Sequence, residues 1–274
     1  MIHRTWIVAA LALVGFVHGA EAQAPTNTPF DSERWMTSYY EHPQPEKTFD
    51  AIRAIHDDGL LLLPNAQRPL IAFFSTIFRD NPSVTTQFLN RCSFLSEKEI
   101  GVLAYAFWFA DTDESKAQLK ALSDKDKNYA PFLKSTPPSI LESEITMPNS
   151  LDMCWGHFFA SGNTQYVGKV IQALENKNNK TDPAKILVYG SARWSLVSNC
   201  RQHKKVLAYC RTVVSHLPDT PKVEVQAILD EIDGKVVSPS VEKETADKLK
   251  QMKKANQTSD GIRQPADGSP KPSM

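Results

Sequence analysis

Asp111-Thr112-Asp113 places two carboxylates one residue apart, oxygen donors of the kind a hard cation takes. No whole oxygen-ligand set surrounds them, and in a turn acidic residues equally serve as helix caps. Asp57 and Asp58 stand beside His56, able to supply an acid and a base, or simply to solvate a helix end before Gly59. Ser240-Val241-Glu242-Lys243 matches the S-x-x-K spelling of acyl-serine enzymes but lacks their companion motifs. HExxH, G-x-S-x-G and a phosphate-binding glycine loop are all missing. No catalytic residue, metal or cofactor is therefore expected from local motifs. An acid and a base brought together from distant parts of the chain would leave no such trace.

A second signal is charge. Between Asp182 and Asp219 there is no acidic residue, while Lys185, Arg193, Arg201, Lys204, Lys205 and Arg211 are all basic. Tyr189, Arg193, Trp194, Arg201, Lys204, Lys205 and Arg211 form a candidate partner-binding set, suited to an acidic protein segment or an anionic envelope component. The plainer reading is a solvated helix face, because Arg201, Lys204 and Lys205 fall off the apolar stripe of their helix. The formal net charge is +0, yet residues 23–150 hold 12 basic and 17 acidic side chains and residues 151–274 hold 18 and 13, so the halves carry −5 and +5.

Compartment is read from the first 22 residues. His3 and Arg4 form a short positive head, Trp6 to Val17 an apolar stretch, and Ala20-Glu21-Ala22 an A-x-A cleavage site. An apolar run of about a dozen residues is short against the roughly 20 that span a bilayer. A cleaved signal peptide at residues 1–22, periplasmic or secreted localisation, and no transmembrane segment in the mature chain are expected. Nucleic acid is not an expected partner there. Cys92, Cys154, Cys200 and Cys210 make an even count for an oxidising compartment, with the pairing open. On one uninterrupted helix Cys200 and Cys210 would be about 15 Å apart, so they meet only if the chain turns between them.

The elements that must position these residues read as helices throughout, and period-2 alternation is almost absent. Asp31 caps a first helix, and Leu70 to Phe78 forms the first strongly apolar one. Asn81-Pro82 and Asp182-Pro183 each pair a cap with a first-turn proline. Ser96-Glu97-Lys98-Glu99 spells a capping box. Asn149 or Ser150 caps a helix over Leu151 to Ala160, and the helix after Pro183 runs to about Val197. Gly162 supplies the turn before Tyr166. The predicted organisation is a helical domain over residues 23–234, with an elaborated connection at 123–148, and a largely disordered polar tail at 235–274 without a core role, within which Glu242 to Ala255 can form an isolated helix.

The stretch Phe158-Phe159-Ala160-Ser161-Gly162-Asn163-Thr164-Gln165-Tyr166-Val167 resembles the turn of a tetratricopeptide hairpin, and looser copies centre on Phe73-Phe74, Phe107-Trp108-Phe109 and Trp194. Taking Phe78, Phe109, Phe159 and Leu196 as equivalent, the intervals are 31, 50 and 37 residues, against the family's 34. The arrangement is similar to that of uncharacterised exported bacterial helical proteins. The resemblance implies an all-α stack of antiparallel helical hairpins, an irregular solenoid with a concave surface for a protein or peptide. The aromatic residues of the hairpins are expected in the core. The leading expectation is an exported, noncatalytic binding protein of the cell envelope. The alternative is an exported all-α hydrolase acting on an envelope polymer, and a pocket holding a desolvated carboxylate would favour it.

Overall fold

The helix on which the others pack begins earlier than its apolar run. In the computed structural model, which describes residues 30–235 and 245–251, α3 spans Pro64–Asp80 and not just the stretch from Leu70. Pro64 fits the first turn, where its missing N–H has no partner to lose, and Pro69 is accommodated inside the helix. Leu70, Phe73, Phe74, Ile77 and Phe78 then recur at helical spacing and are buried. The leader at residues 1–22 and the Ser240-Val241-Glu242-Lys243 tetrad lie outside the described residues.

Among the described residues every regular element is helical, and no helix is long and apolar enough to cross a membrane. Before α3 come α1 (Ser32–Ser38) and α2 (Thr48–Asp57); after it come α4 (Pro82–Arg91), α5 (Glu97–Ala110) and α6 (Asp113–Lys125). The second half holds α7 (Pro148–Ser161), α8 (Gln165–Gln172), α9 (Pro183–Gln202), α10 (Lys204–Val213) and α11 (Asp219–Ile232). Neighbours in sequence pack as hairpins: α3 with α4, α5 with α6, α7 with α8, and α9 with α10.

Packing order departs from chain order. Helix α3 contacts both α5 and α7, and α7 in turn contacts α9. Having finished α6, the chain must therefore come back to α3 before α7 can pack there. The stretch 126–147 makes that return, which is why it is long. Its 3-10 helix, Lys127–Lys134, lies on α5 and α6. Phe132 meets Tyr105 edge-on at 4.9 Å, and the Trp108 indole N–H donates to the Ser135 carbonyl at 2.9 Å.

Toward α5 the contact is aromatic. Phe78 stacks on Phe107 with centroids 4.6 Å apart, and Phe88 of α4 meets Phe107 edge-on at 4.8 Å. Toward α7 the contact is made by the absence of a side chain. A β-carbon on Gly156 would collide with the Pro69 carbonyl oxygen, lie 2.9 Å from Ala72 Cβ and 3.1 Å from Phe73 N. Glycine lets the two backbones approach to a distance that alanine forbids. Phe73, Phe74, Phe78, Phe88, Phe107, Phe158 and Phe159 are fully buried around these contacts, each contributing about 1.5–3 kcal/mol by area removed from water.

Caps fix the ends. Ser96 and Glu99 form the capping box, with Ser96 N donating to Glu99 Oε2 at 2.8 Å. Asp182 accepts from the backbone N–H groups of Ala184 and Lys185. Asn81 acts differently from a helix-start cap: its side-chain amide donates back to the Ile77 carbonyl and closes α3. Helix α7 starts at Pro148 behind Met147, so neither Asn149 nor Ser150 is its cap, because a first-turn proline fixes the start one residue earlier. Helix α9 continues to Gln202, past Val197, since Asn199 and Cys200 still face the core. Gly162 closes α7 in the left-handed conformation, at φ 66°.

The polar tail was expected to stay off the core. Residues 245–251 instead form a helical turn against α9, where a β-carbon on Gly190 would strike the Thr245 hydroxyl and approach its Cγ2 to 3.0 Å. Lys248 Nζ sits 5.0 Å from the Tyr189 ring centroid and donates to the Lys177 carbonyl at 3.3 Å. A glycine on α9 makes a slot that composition could not reveal. Replacing Gly190→Ala favours α9 as a helix by up to about 1 kcal/mol but closes the slot. Limited trypsinolysis should then cut after Lys248 faster than in the wild-type chain while the body keeps its melting temperature; equal cleavage rates would show that the tail does not use the slot.

Candidate functional site

Around the α3–α7 crossing the helices leave a cavity of about 380 Å³. Helix α1 contributes Ser32, Glu33 and Met36, and α3 contributes Asn65, Ala66, Pro69 and Leu70. Helix α7 brings Leu151, Asp152, Trp155 and Phe159, while α9 brings Ser191, Trp194, Ser195, Ser198 and Asn199. Ile55, Asp58 and Leu60 complete the wall. Trp155 and Phe159 lie nearly parallel, at 26° with centroids 6.1 Å apart. The volume and the apolar, aromatic wall with a few polar groups match what a small ligand or one inserted side chain needs.

Among the described residues the lining includes the carboxylates Glu33, Asp58 and Asp152 and no Lys, Arg or His. Burial pushes the Asp152 carboxyl from 3.8 up to about 6, against the pull of the Arg68 guanidinium. Burial first, and the Asp31 charge second, also raise Glu33. On α9 the polar groups are partly spent locally: Asn199 donates its amide to the Ser195 carbonyl at 2.8 Å, and Ser195 donates to the Ala192 carbonyl at 3.1 Å. The Trp155 indole N–H is buried without a hydrogen-bond partner among the described residues, a cost that a bound acceptor would relieve.

The residues singled out in the sequence fall in different places. Asp58 reaches the cavity wall, but His56 turns away and pairs with Glu99, Nδ1 to Oε1 at 2.7 Å. Burial would raise Glu99, yet hydrogen bonds from Ser96 and the His56 contact outweigh it and hold the carboxyl low. Asp111 is ion-paired with Lys116 at 2.8 Å, and Thr112 caps α6. Among the described residues no group of three or more His, Cys, Asp and Glu is placed to hold a metal.

The basic set divides as well. Tyr189 donates to Glu224 at 2.8 Å, and buried Arg193 pairs with Glu224 and Glu231, each at 3.4 Å. Lys177 also pairs with Glu224. Arg201 reaches Glu231 at 2.8 Å and Arg211 reaches Asp233 at 2.7 Å. Acidic residues of α11 and the residue after it thus meet the basic residues of α9 and α10. Lys204 and Lys205 are exposed, with Lys205 Nζ 5.7 Å from the Tyr40 ring centroid. Trp194 belongs to the cavity. Of the lining residues, Glu33, Asp152 and the α9 serines carried no motif. The one available cue was Asp152 alone among Leu151, Met153, Cys154 and Trp155, a charge inside an apolar run.

No family model matches this chain, and no curated protein or solved structure matches it either.

Between about pH 4 and 6 folded Asp152 holds a proton that the unfolded chain has released, so raising the pH through this window costs the fold up to about 3 kcal/mol. His157 works in the opposite sense. It lies 2.9 Å from the Thr76 hydroxyl, and burial, then the Arg79 charge, push it from 6.5 down to about 4, so its contribution is lost as pH falls through that range. The two offset each other in the native protein. Asp152→Asn should be more stable than wild type by up to about 3 kcal/mol at pH 8, converge with it at pH 4, and show the acid lability of His157 unmasked. Urea denaturation at the two pH values measures this; an equal difference at both would exclude a raised Asp152.

Proposed function

We propose that this chain is an exported, noncatalytic α-helical binding protein that seats one apolar side chain of a protein or peptide partner, flanked by a basic group, in the cavity between α1, α3, α7 and α9. The observation that carries the reading is the cavity itself: aromatic and aliphatic walls with carboxylates as the only charged lining residues among the described ones. Trp155, Phe159 and Trp194 suit an apolar body, and the rings also favour a nearby cation. Glu33, Asp58 and Asp152 complement a Lys or Arg, whereas an anion would meet only like charge. Arg193, Arg201 and Arg211, by contrast, face acids of their own chain, which lends less support to an anionic partner. Hairpin pairing of α3 to α10 is compatible with a tetratricopeptide-like stack whose hairpins are permuted about α3. Export in this reading rests on the leader at residues 1–22.

A second reading, an exported all-α hydrolase acting on an envelope polymer, is favoured by one observation: Asp152 is a desolvated carboxyl with acidity shifted toward neutrality, as a general acid requires.

Selection of a random-peptide display library on the full chain separates the readings. Enriched peptides should carry an aromatic or aliphatic residue next to Lys or Arg. Their binding should fall at least about tenfold, or ~1.4 kcal/mol, in Ala66→Phe, which fills the cavity from the start of α3. Selected peptides that bind Ala66→Phe undiminished would refute the cavity as the site. Cleavage of a polymer substrate that Asp152→Asn abolishes would transfer the conclusion to the hydrolase.

A further inference from the structure

His203 separates α9 from α10 with a single extended residue, φ −120° and ψ 106°. That break turns the chain and lays the end of α9 against α10. As a result Cys200 Sγ and Cys210 Sγ lie 3.7 Å apart, where a continuous helix would hold the two residues about 15 Å apart. Both side chains are buried, 2% and 1% exposed. Cys92 and Cys154 are buried thiols whose acidity burial pushes to about 12.

We propose that Cys200 and Cys210 are the site of a disulfide that locks the α9–α10 turn, and that Cys92 and Cys154 stay reduced. A disulfide needs an S–S distance of about 2.05 Å, so the sulfurs have less than 2 Å to close, within reach of side-chain rotation. The oxidant is a donor disulfide. The thiolate of one cysteine attacks one donor sulfur and the other donor sulfur leaves as a thiolate; the thiolate of the second cysteine then attacks the protein sulfur of the mixed disulfide and expels the remaining donor sulfur. Two protons and two electrons leave the protein, and the donor ends as two thiols. Because both sulfurs are buried, exchange takes place before α10 seats on α9.

The cross-link has a place in the function of the fold. Trp194, Ser195, Ser198 and Asn199 line the cavity in the turns that lead into Cys200. Tying Cys200 to α10 restrains that wall at its end. An oxidising compartment, the destination in the proposed function, supplies suitable donors, but a defined donor tests the pair apart from that reading.

The full chain is unfolded in urea, refolded with a glutathione redox pair, alkylated with iodoacetamide and digested with trypsin without reduction. Cleavage after Arg193, Arg201, Lys205 and Arg211 releases residues 194–201 and 206–211 as separate peptides, so mass spectrometry should find these two joined. Dithiothreitol should lower the melting temperature of the refolded protein by roughly 5 °C or more, and should leave that of Cys200→Ser with Cys210→Ser unchanged. Alkylation of both peptides, or a link from either to Cys92 or Cys154, would overturn the proposal.

Discussion

The close approach of α3 and α7 at Gly156 is the constraint from which the rest of the structure follows. Pro69 offers its carbonyl where a β-carbon on Gly156 would have to sit, so the crossing exists only because residue 156 has no side chain. Pro69 and Trp155, adjacent to that contact, both line the cavity. Helices α1 and α9 then pack on α7 and supply further walls. The return of the chain through residues 126–147 is the topological consequence of placing α7 on α3.

A well-packed core has no reason to keep a carboxyl such as Asp152 in an apolar wall, where burial holds it part-protonated. Site residues commonly reduce the stability of the fold that carries them. Several buried polar groups elsewhere are paired: Glu99 with Ser96 and His56, Thr85 with the Phe78 carbonyl, Arg193 with Glu224 and Glu231.

Much of the fold was legible because its signals are local. The capping box at Ser96, the Asp182-Pro183 start and the apolar run from Leu70 to Phe78 each depend on residues close to one another along the chain, and the all-α class follows from such signals. What pairs with what was not legible. Nothing near Gly156 in sequence announces Pro69, and nothing near Gly190 announces Thr245, because a glycine's use in close packing is defined by its partner. Arg193, Arg201 and Arg211 formed an apparently unopposed basic run because their acidic partners, Glu224, Glu231 and Asp233, belong to the next helix and its end. For the same reason the cavity could not be read: its walls come from five α-helices and the segment after α2, spread between residues 32 and 199, and of its carboxylates only Asp58 stood in a recognisable cluster. Cys200 and Cys210 required knowing where the turn fell, and a single extended histidine supplies it.

The dependence on the α3–α7 crossing is tested most directly by comparing the unfolding free energies of Gly156→Ala and Gly101→Ala. Both substitutions introduce the better helix former, worth up to about 1 kcal/mol. At Gly101, on α5, the new methyl meets nothing closer than the Tyr129 hydroxyl at 3.8 Å, so a neutral or stabilising effect is expected. At Gly156 it meets backbone that cannot yield without separating the two helices, and a loss of about 2–3 kcal/mol or more is expected. If Gly156→Ala were as stable as Gly101→Ala, the two helices would not be held at this distance, and the cavity built around their crossing would lose its foundation.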